Sequence, residues 1–128
     1  MKKNILTLIF LTLLSIQSKA QTQNELIGKW VCIDVLNKES IDKLGLEYLE
    51  SHILNKWIFL FKENGFYESE IIDMDYVKGI WEYDMLSKKI TVTGFGESPT
   101  TFEILKFEKN SMELKFEHGE YILEKKTN

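Results

Sequence analysis

The chain has 128 residues with 16 basic and 20 acidic side chains, every basic one a lysine, for a formal charge of −4. An acidic surface without arginine argues against a nucleic-acid partner, whose affinity rests on basic side chains displacing counterions from phosphates, and against anionic membrane surfaces for the same reason. The single cysteine, Cys32, has no intramolecular disulfide partner, so a hydrophobic core alone has to hold the fold.

Lys2 and Lys3 precede an apolar run from Ile5 to Ile16, and Ser18-Lys19-Ala20 supplies a small-x-small exit. This is the pattern of a secretory signal peptide over residues 1–20, and the run is short for a bilayer span. Gln21 stands where a lipoprotein would need a cysteine, so the expectation is a single mature domain, 21–128, secreted or periplasmic, with no membrane anchor. That domain carries 13 Lys against 20 acids, about −7.

Thr22-Gln23-Asn24-Glu25 fits a capping box, in which the Thr hydroxyl and the Glu carboxylate each satisfy an orphan amide of a short helical turn. A first strand is expected over 29–35, with Trp30 and Cys32 on one face and Val31, Ile33 and Val35 on the other. Cys32, within an apolar run, reads as a buried, inert thiol. Residues 40–54 then break the β pattern. At helical spacing Ile41, Leu44, Leu46, Tyr48, Leu49 and Ile53 share an arc of roughly 200°, which predicts a helix whose first turn Gly45 weakens. An arc this wide suits either a helix wedged between sheet and solvent or a lid, with Leu46, Leu49 and Ile53 turned toward a ligand or partner.

Seven further strands are expected at 57–62, 65–72, 76–83, 88–94, 100–107, 111–117 and 120–126. Asn64-Gly65 predicts a type I′ hairpin turn with positive φ at both residues. Gly94-Phe95-Gly96, Lys109-Asn110 and His118-Gly119 mark further turns. Alternation gives most strands one apolar face, as in Met112, Leu114 and Phe116 against Glu113, Lys115 and Glu117. Trp57 to Phe61 is apolar on both faces, which calls for an outer cover, most simply the preceding helix. Thr101 to Phe107 needs a bulge near Leu105 to keep its apolar residues on one side. Eight short strands joined by tight turns hide their apolar faces and dispose of two edges by closing. The expected class is all-β, an eight-stranded antiparallel up-and-down barrel with one helix between strands 1 and 2.

Catalytic constellations are not apparent. His52 and His118 form no metal-ligand spacing, Asp73 and Asp75 around Met74 read as a polar turn, and no nucleophile elbow or phosphate-cradling glycine loop occurs. No enzyme activity, metal or cofactor is expected. The inward face is more informative: Trp57, Phe59, Tyr67, Ser69, Trp81, Tyr83, Phe102, Phe116 and Tyr121 make an aromatic set with a few hydroxyls. Such a set suits a ligand pocket and equally a packed core.

Gly28-Lys29-Trp30 after a helical turn, the one long connection between strands 1 and 2, the run Phe61-Lys62-Glu63-Asn64-Gly65-Phe66-Tyr67 and the run Gly79-Ile80-Trp81-Glu82-Tyr83 occur in order across nearly the whole mature chain. In this the chain resembles the short lipocalin-like domains of exported bacterial proteins. The resemblance implies that Gly28 and Trp30 form the barrel floor and that residues 36–56 lid the open end. Lipocalins stack a late arginine over that tryptophan; here Lys125 or Lys126 would have to stand in, without the planar fork. The short chain implies a small or filled interior. Two functions follow: a small apolar or amphipathic ligand held in the barrel with the 40–54 helix gating the mouth, or a filled barrel that binds another envelope or secreted protein through that helix.

Overall fold

The computed structural model describes residues 24–126. The leader expected at 1–20 and the Thr22-Gln23 half of the capping box lie outside the described residues. A helical turn at 24–26 leads into β1 (Gly28–Val35), β2 (Trp57–Phe61), β3 (Phe66–Ile71), β4 (Asp75–Asp84), β5 (Lys89–Gly94), β6 (Thr100–Glu108), β7 (Ser111–Phe116) and β8 (Gly119–Lys126). Each strand pairs antiparallel with the next, and β8 returns to β1, so the sheet closes into a barrel. Among the described residues, closure gives every strand a neighbour on both sides, which removes the free edges that template aggregation.

Alternation drives that closure. Ile90, Val92, Phe102, Ile104, Met112, Leu114 and Leu123 are buried inside, while their sequence neighbours Lys89, Glu103 and Lys115 stay exposed. The bulge expected in β6 is present: the pairing of β6 with β7 slips between Ile104 and Lys106, and Leu105 is the extra residue. A second bulge was not foreseen. β1 slips against β8 between Cys32 and Asp34, which pairs Val35 with Tyr121. Paired residues in a ladder share a face, so the extra residue Ile33 moves Val35 off the face of Val31 and onto that of Cys32.

The β2–β3 hairpin also differs from the expected type I′ turn. Only Gly65 takes a positive φ, +88°, and Asn64 does not. The Gly65 amide donates to the Lys62 carbonyl at 3.1 Å and the Lys62 amide to the Phe66 carbonyl at 2.9 Å. This is a longer hairpin loop that ends on a left-handed glycine. The Asn64 side chain takes part instead as an acceptor, from the Phe66 amide at 3.0 Å.

Between β1 and β2 the expected helix is present in pieces: a 3-10 turn at Lys38–Ser40, the α-helix α1 (Lys43–Tyr48) and a π-type turn at Leu49–Ile53. Asp42 caps α1 by accepting from the Gly45 amide at 2.7 Å. This segment does not cover the outer face of β2. A groove of about 290 Å³ runs over Ile58 and Leu60, and its walls are Lys29, Glu68, Glu70 and Tyr76. No helix among the described residues is long and apolar enough to cross a membrane.

The 36–56 connection shares one end of the barrel, the mouth, with the turns at 72–74, 95–99 and 117–118. The helical turn at 24–26 and the turns at 62–65, 85–88 and 109–110 occupy the other end, the floor.

Candidate ligand-binding cavity

The floor is solid. Trp30, Phe61 and Leu26 are fully buried there, and the Trp30 indole donates to the Leu26 carbonyl at 2.9 Å. Lys125 crosses over this indole, with its Nζ 5.7 Å from the ring centroid, and donates to the Glu25 carbonyl at 2.9 Å. Of the two lysines expected to stand in for an arginine, Lys125 is the one that does so; Lys126 pairs with Glu124 on the surface. Gly28 belongs to the same arrangement. Its φ is +135°, a conformation that disfavours any other residue, and a Cβ there would press on Lys125 Cε at 2.7 Å, so Lys125 would have to shift from its place over the indole.

Above the floor stands an aromatic column. Phe61 lies 5.1 Å from Trp81, 5.6 Å from Tyr67 and 6.2 Å from Phe59, centroid to centroid. The Trp81 indole donates to the Lys62 carbonyl at 2.9 Å, which fixes Trp81 beside the β2–β3 turn at the floor. Tyr83, further along β4 in the same direction, packs half-buried against the core. Phe59 is buried between Phe61 and Phe102.

Toward the mouth the column ends and a cavity of about 260 Å³ begins. Trp57, Tyr67, Phe102 and Phe116 supply its aromatic wall, and Ile71, Val77 and Val92 its aliphatic one. Trp57 is held from three directions: Phe116 at 6.0 Å, Tyr121 edge-on behind it at 5.4 Å, and the Ser69 hydroxyl, which accepts from its indole at 3.3 Å. Phe102 and Phe116 lie 4.9 Å apart. Tyr67 is 4% exposed; burial pushes its hydroxyl up to about 12, against the effect of a hydrogen bond with Ser69, and the charge of Glu97 raises it further.

Thus five of the nine inward residues read from the sequence, Trp57, Tyr67, Ser69, Phe102 and Phe116, meet at one cavity. Phe59, Trp81, Tyr83 and Tyr121 pack beneath or behind it. Of the lid residues, Ile53 is buried in the core, Leu49 packs against it and Leu46 is half-buried. None of the three lines the cavity.

The candidate set read from the sequence missed Ile71, Asp75, Val77, Val92, Gly94, Glu97 and Thr100, all on the cavity wall. Glycine pairing was the available signal. Gly79 faces Gly94 across β4 and β5 and faces Tyr67 across β3 and β4; a Cβ on Gly79 would run into the Thr93 carbonyl, so the pair lets the two strands approach closely beside the cavity that Gly94 lines. A Cβ on Gly94 would meet Glu97 Oε2 at 2.8 Å and Val77 Cγ1 at 2.9 Å. The outer groove over Ile58 and Leu60 is similar in volume, but charged side chains on the convex face of the sheet wall it. The inner cavity has the concave, largely apolar character of a binding site.

No family model matches the chain, and no curated protein matches it. Solved structures do. A lipocalin-like protein from Bacteroides uniformis superposes with a TM-score of 0.58 at 14% identity, covering 79% of this chain and 98% of that one. An uncharacterized protein from Bacteroides eggerthii gives 0.55 at 14%, covering 78% and 98%. An NMR structure of a protein from Bacteroides uniformis gives 0.53 at 18%, covering 81% and 91%. The fold is lipocalin-like. At these identities the likeness concerns the barrel alone, and the cavity of this lipocalin-like chain is read from its own residues.

Proposed function

We propose that this lipocalin-like barrel is a non-catalytic carrier or receptor, exported by the leader pattern at 1–20, that binds a small apolar or amphipathic molecule in the mouth cavity. The observation that carries this reading is the cavity itself: a concavity at one end of a closed barrel, walled by aromatic rings that their neighbours hold in place. Its size bounds the guest. An apolar cavity of about 150 Å³ holds benzene, so 260 Å³ suits a body of roughly ten non-hydrogen atoms, with any longer part protruding from the mouth. A guest that small binds with a dissociation constant between about 1 μM and 1 mM.

A second reading draws on α1, where Leu44 is 77% and Tyr48 49% exposed: an interaction module that presents this helix to another envelope or secreted protein. NMR titration of the isotopically labelled mature domain with indole, a neutral apolar probe, tests the first reading. The expected shifts cluster at Trp57, Tyr67, Phe102 and Phe116 and vanish in Val77→Phe, which fills the cavity while keeping the dispersed spectrum of a folded barrel. Absence of those shifts up to the solubility limit of indole, or their persistence in Val77→Phe, refutes it.

A further inference from the structure

The cavity is apolar in its depth and acidic at its rim, and that polarity selects among amphipathic guests. Asp75 opens β4 and Glu97 closes the turn after β5; both line the cavity, and no lysine or histidine does. The placement of Glu97 is built into the turn. Its amide donates to the Gly94 carbonyl at 3.0 Å and Gly96 takes φ +82°, the conformation that lets the third residue of such a turn reverse the chain. The carboxylate thereby folds back over Gly94 beside Val77, in the space a Cβ on Gly94 would occupy. Asp75 is fixed through its own backbone neighbour, accepting from the Tyr76 amide at 2.9 Å.

Neither carboxylate is neutralised. Among the described residues, the ion pairs join Lys38 to Asp34, Lys62 to Glu68, Lys106 to Glu108 and Lys126 to Glu124, and none includes Asp75 or Glu97. Neighbouring lysines are engaged elsewhere: Lys78 lies over the Tyr76 ring and Lys56 donates to the Ser51 carbonyl. No group of three His, Cys, Asp or Glu side chains among the described residues could hold a metal ion, so the two acids do not amount to a metal site. The hydroxyls of Thr100, Ser69 and Tyr67 also line the cavity and offer further acceptors.

We infer that the guest is a small organic amine: an aromatic or apolar body seated against Trp57, Phe102 and Phe116, with a protonated amino group at the mouth between Asp75 and Glu97. An ammonium brings three donors and a positive charge to a rim that offers carboxylate and hydroxyl oxygens. An aromatic wall next to it adds attraction between cation and ring face. The same rim repels a carboxylate headgroup, so fatty acids and aryl acids are disfavoured. This rests on the reading of the cavity as a binding site, and the test separates the two.

The test is a calorimetric or NMR titration of the mature domain at neutral pH and low salt with three matched probes: 2-phenylethylamine, its neutral isostere 2-phenylethanol, and the anion 3-phenylpropionate. Both rim carboxylates are solvent-exposed, where an ion pair contributes only modestly, so the amine is expected to bind about three- to tenfold tighter than the alcohol. The anion should bind weakest. Added salt should shrink the preference, and Asp75→Asn with Glu97→Gln should bring the amine to the level of the alcohol measured on the same variant. Equal or tighter binding of the alcohol or the anion overturns the amine assignment and leaves the cavity reading standing. Binding by none of the three to a protein that retains its folded spectrum overturns both.

Discussion

Cys32 and Tyr67 sit on the inner face of the barrel with almost no exposure, and burial pushes both protonation equilibria upward, to about 12 in each case from 9.0 for the thiol and 10.0 for the phenol. Both groups are neutral when protonated, so the buried site resists the ionised form. In the unfolded chain the thiol loses its proton near pH 9 and the phenol near pH 10, whereas the native barrel keeps both until about 12. Within that window unfolding releases protons, and stability therefore falls as pH rises, by about 1.4 kcal/mol per pH unit for each group. The contribution is fully present below pH 9 and lost through pH 12. Urea denaturation at stepped pH should show midpoints that fall from about pH 9 upward, and in Cys32→Ala the fall should begin about one unit later, with Tyr67. A stability that is flat to pH 11, or an onset that Cys32→Ala does not move, would contradict the burial assigned to these side chains. The same protonated, enclosed thiol is a poor nucleophile.

At the scale of elements, the connection between β1 and β2 is anchored at both ends and sends Ile53 into the core. It is tied to the barrel wall by backbone bonds at both ends: the Leu36 amide donates to the Glu120 carbonyl at 2.8 Å and the Asn55 amide to the Cys32 carbonyl at 2.7 Å. The π-type turn at Leu49–Ile53 carries Ile53 into the core, 8% exposed, while Leu44 in α1 is 77% exposed. The two residues lie on one apolar arc in the sequence, yet the structure uses them differently. Ile53→Ala should cost about 2–4 kcal/mol, because it opens a void that the surrounding rings cannot close. Leu44→Ala should change stability by no more than about 0.5 kcal/mol. Equal effects in chemical denaturation would mean that the segment does not insert. The turns at 72–74 and 95–99 stand at the same end of the barrel as the cavity, which Asp75 and Glu97 line.

For the molecule as a whole, strand number, order and closure were legible because they depend on local signals: period-two alternation and turn residues. Even the bulge at Leu105 announced itself by a break in alternation. The bulge at Ile33 did not, because Val31, Ile33 and Val35 are all apolar and any face suits them. The site was half legible for a related reason. Alternation tells whether a side chain points inward but not at what height along the barrel axis, and height is set by the register between neighbouring strands. Trp57 and Trp81 both point inward; register puts one at the cavity and the other at the floor. Register also brings the first and last strands together, since Lys29 pairs with Lys126 and closes β1 on β8. Every other strand pair is joined by its own connection, so no feature of the closed barrel requires β1 to come first. A circular permutant that links Lys126 to Asn24 through a short glycine-serine segment, with new ends between Leu86 and Ser87, cuts the chain at a turn where Leu86 is 88% exposed. Exposed turn tips of this kind tolerate new termini. The permutant should give the same dispersed amide spectrum and the same indole-induced shifts at Trp57 and Phe102. A collapsed spectrum would instead mean that the β4–β5 hairpin has to form as a covalent unit before β1 and β8 can meet.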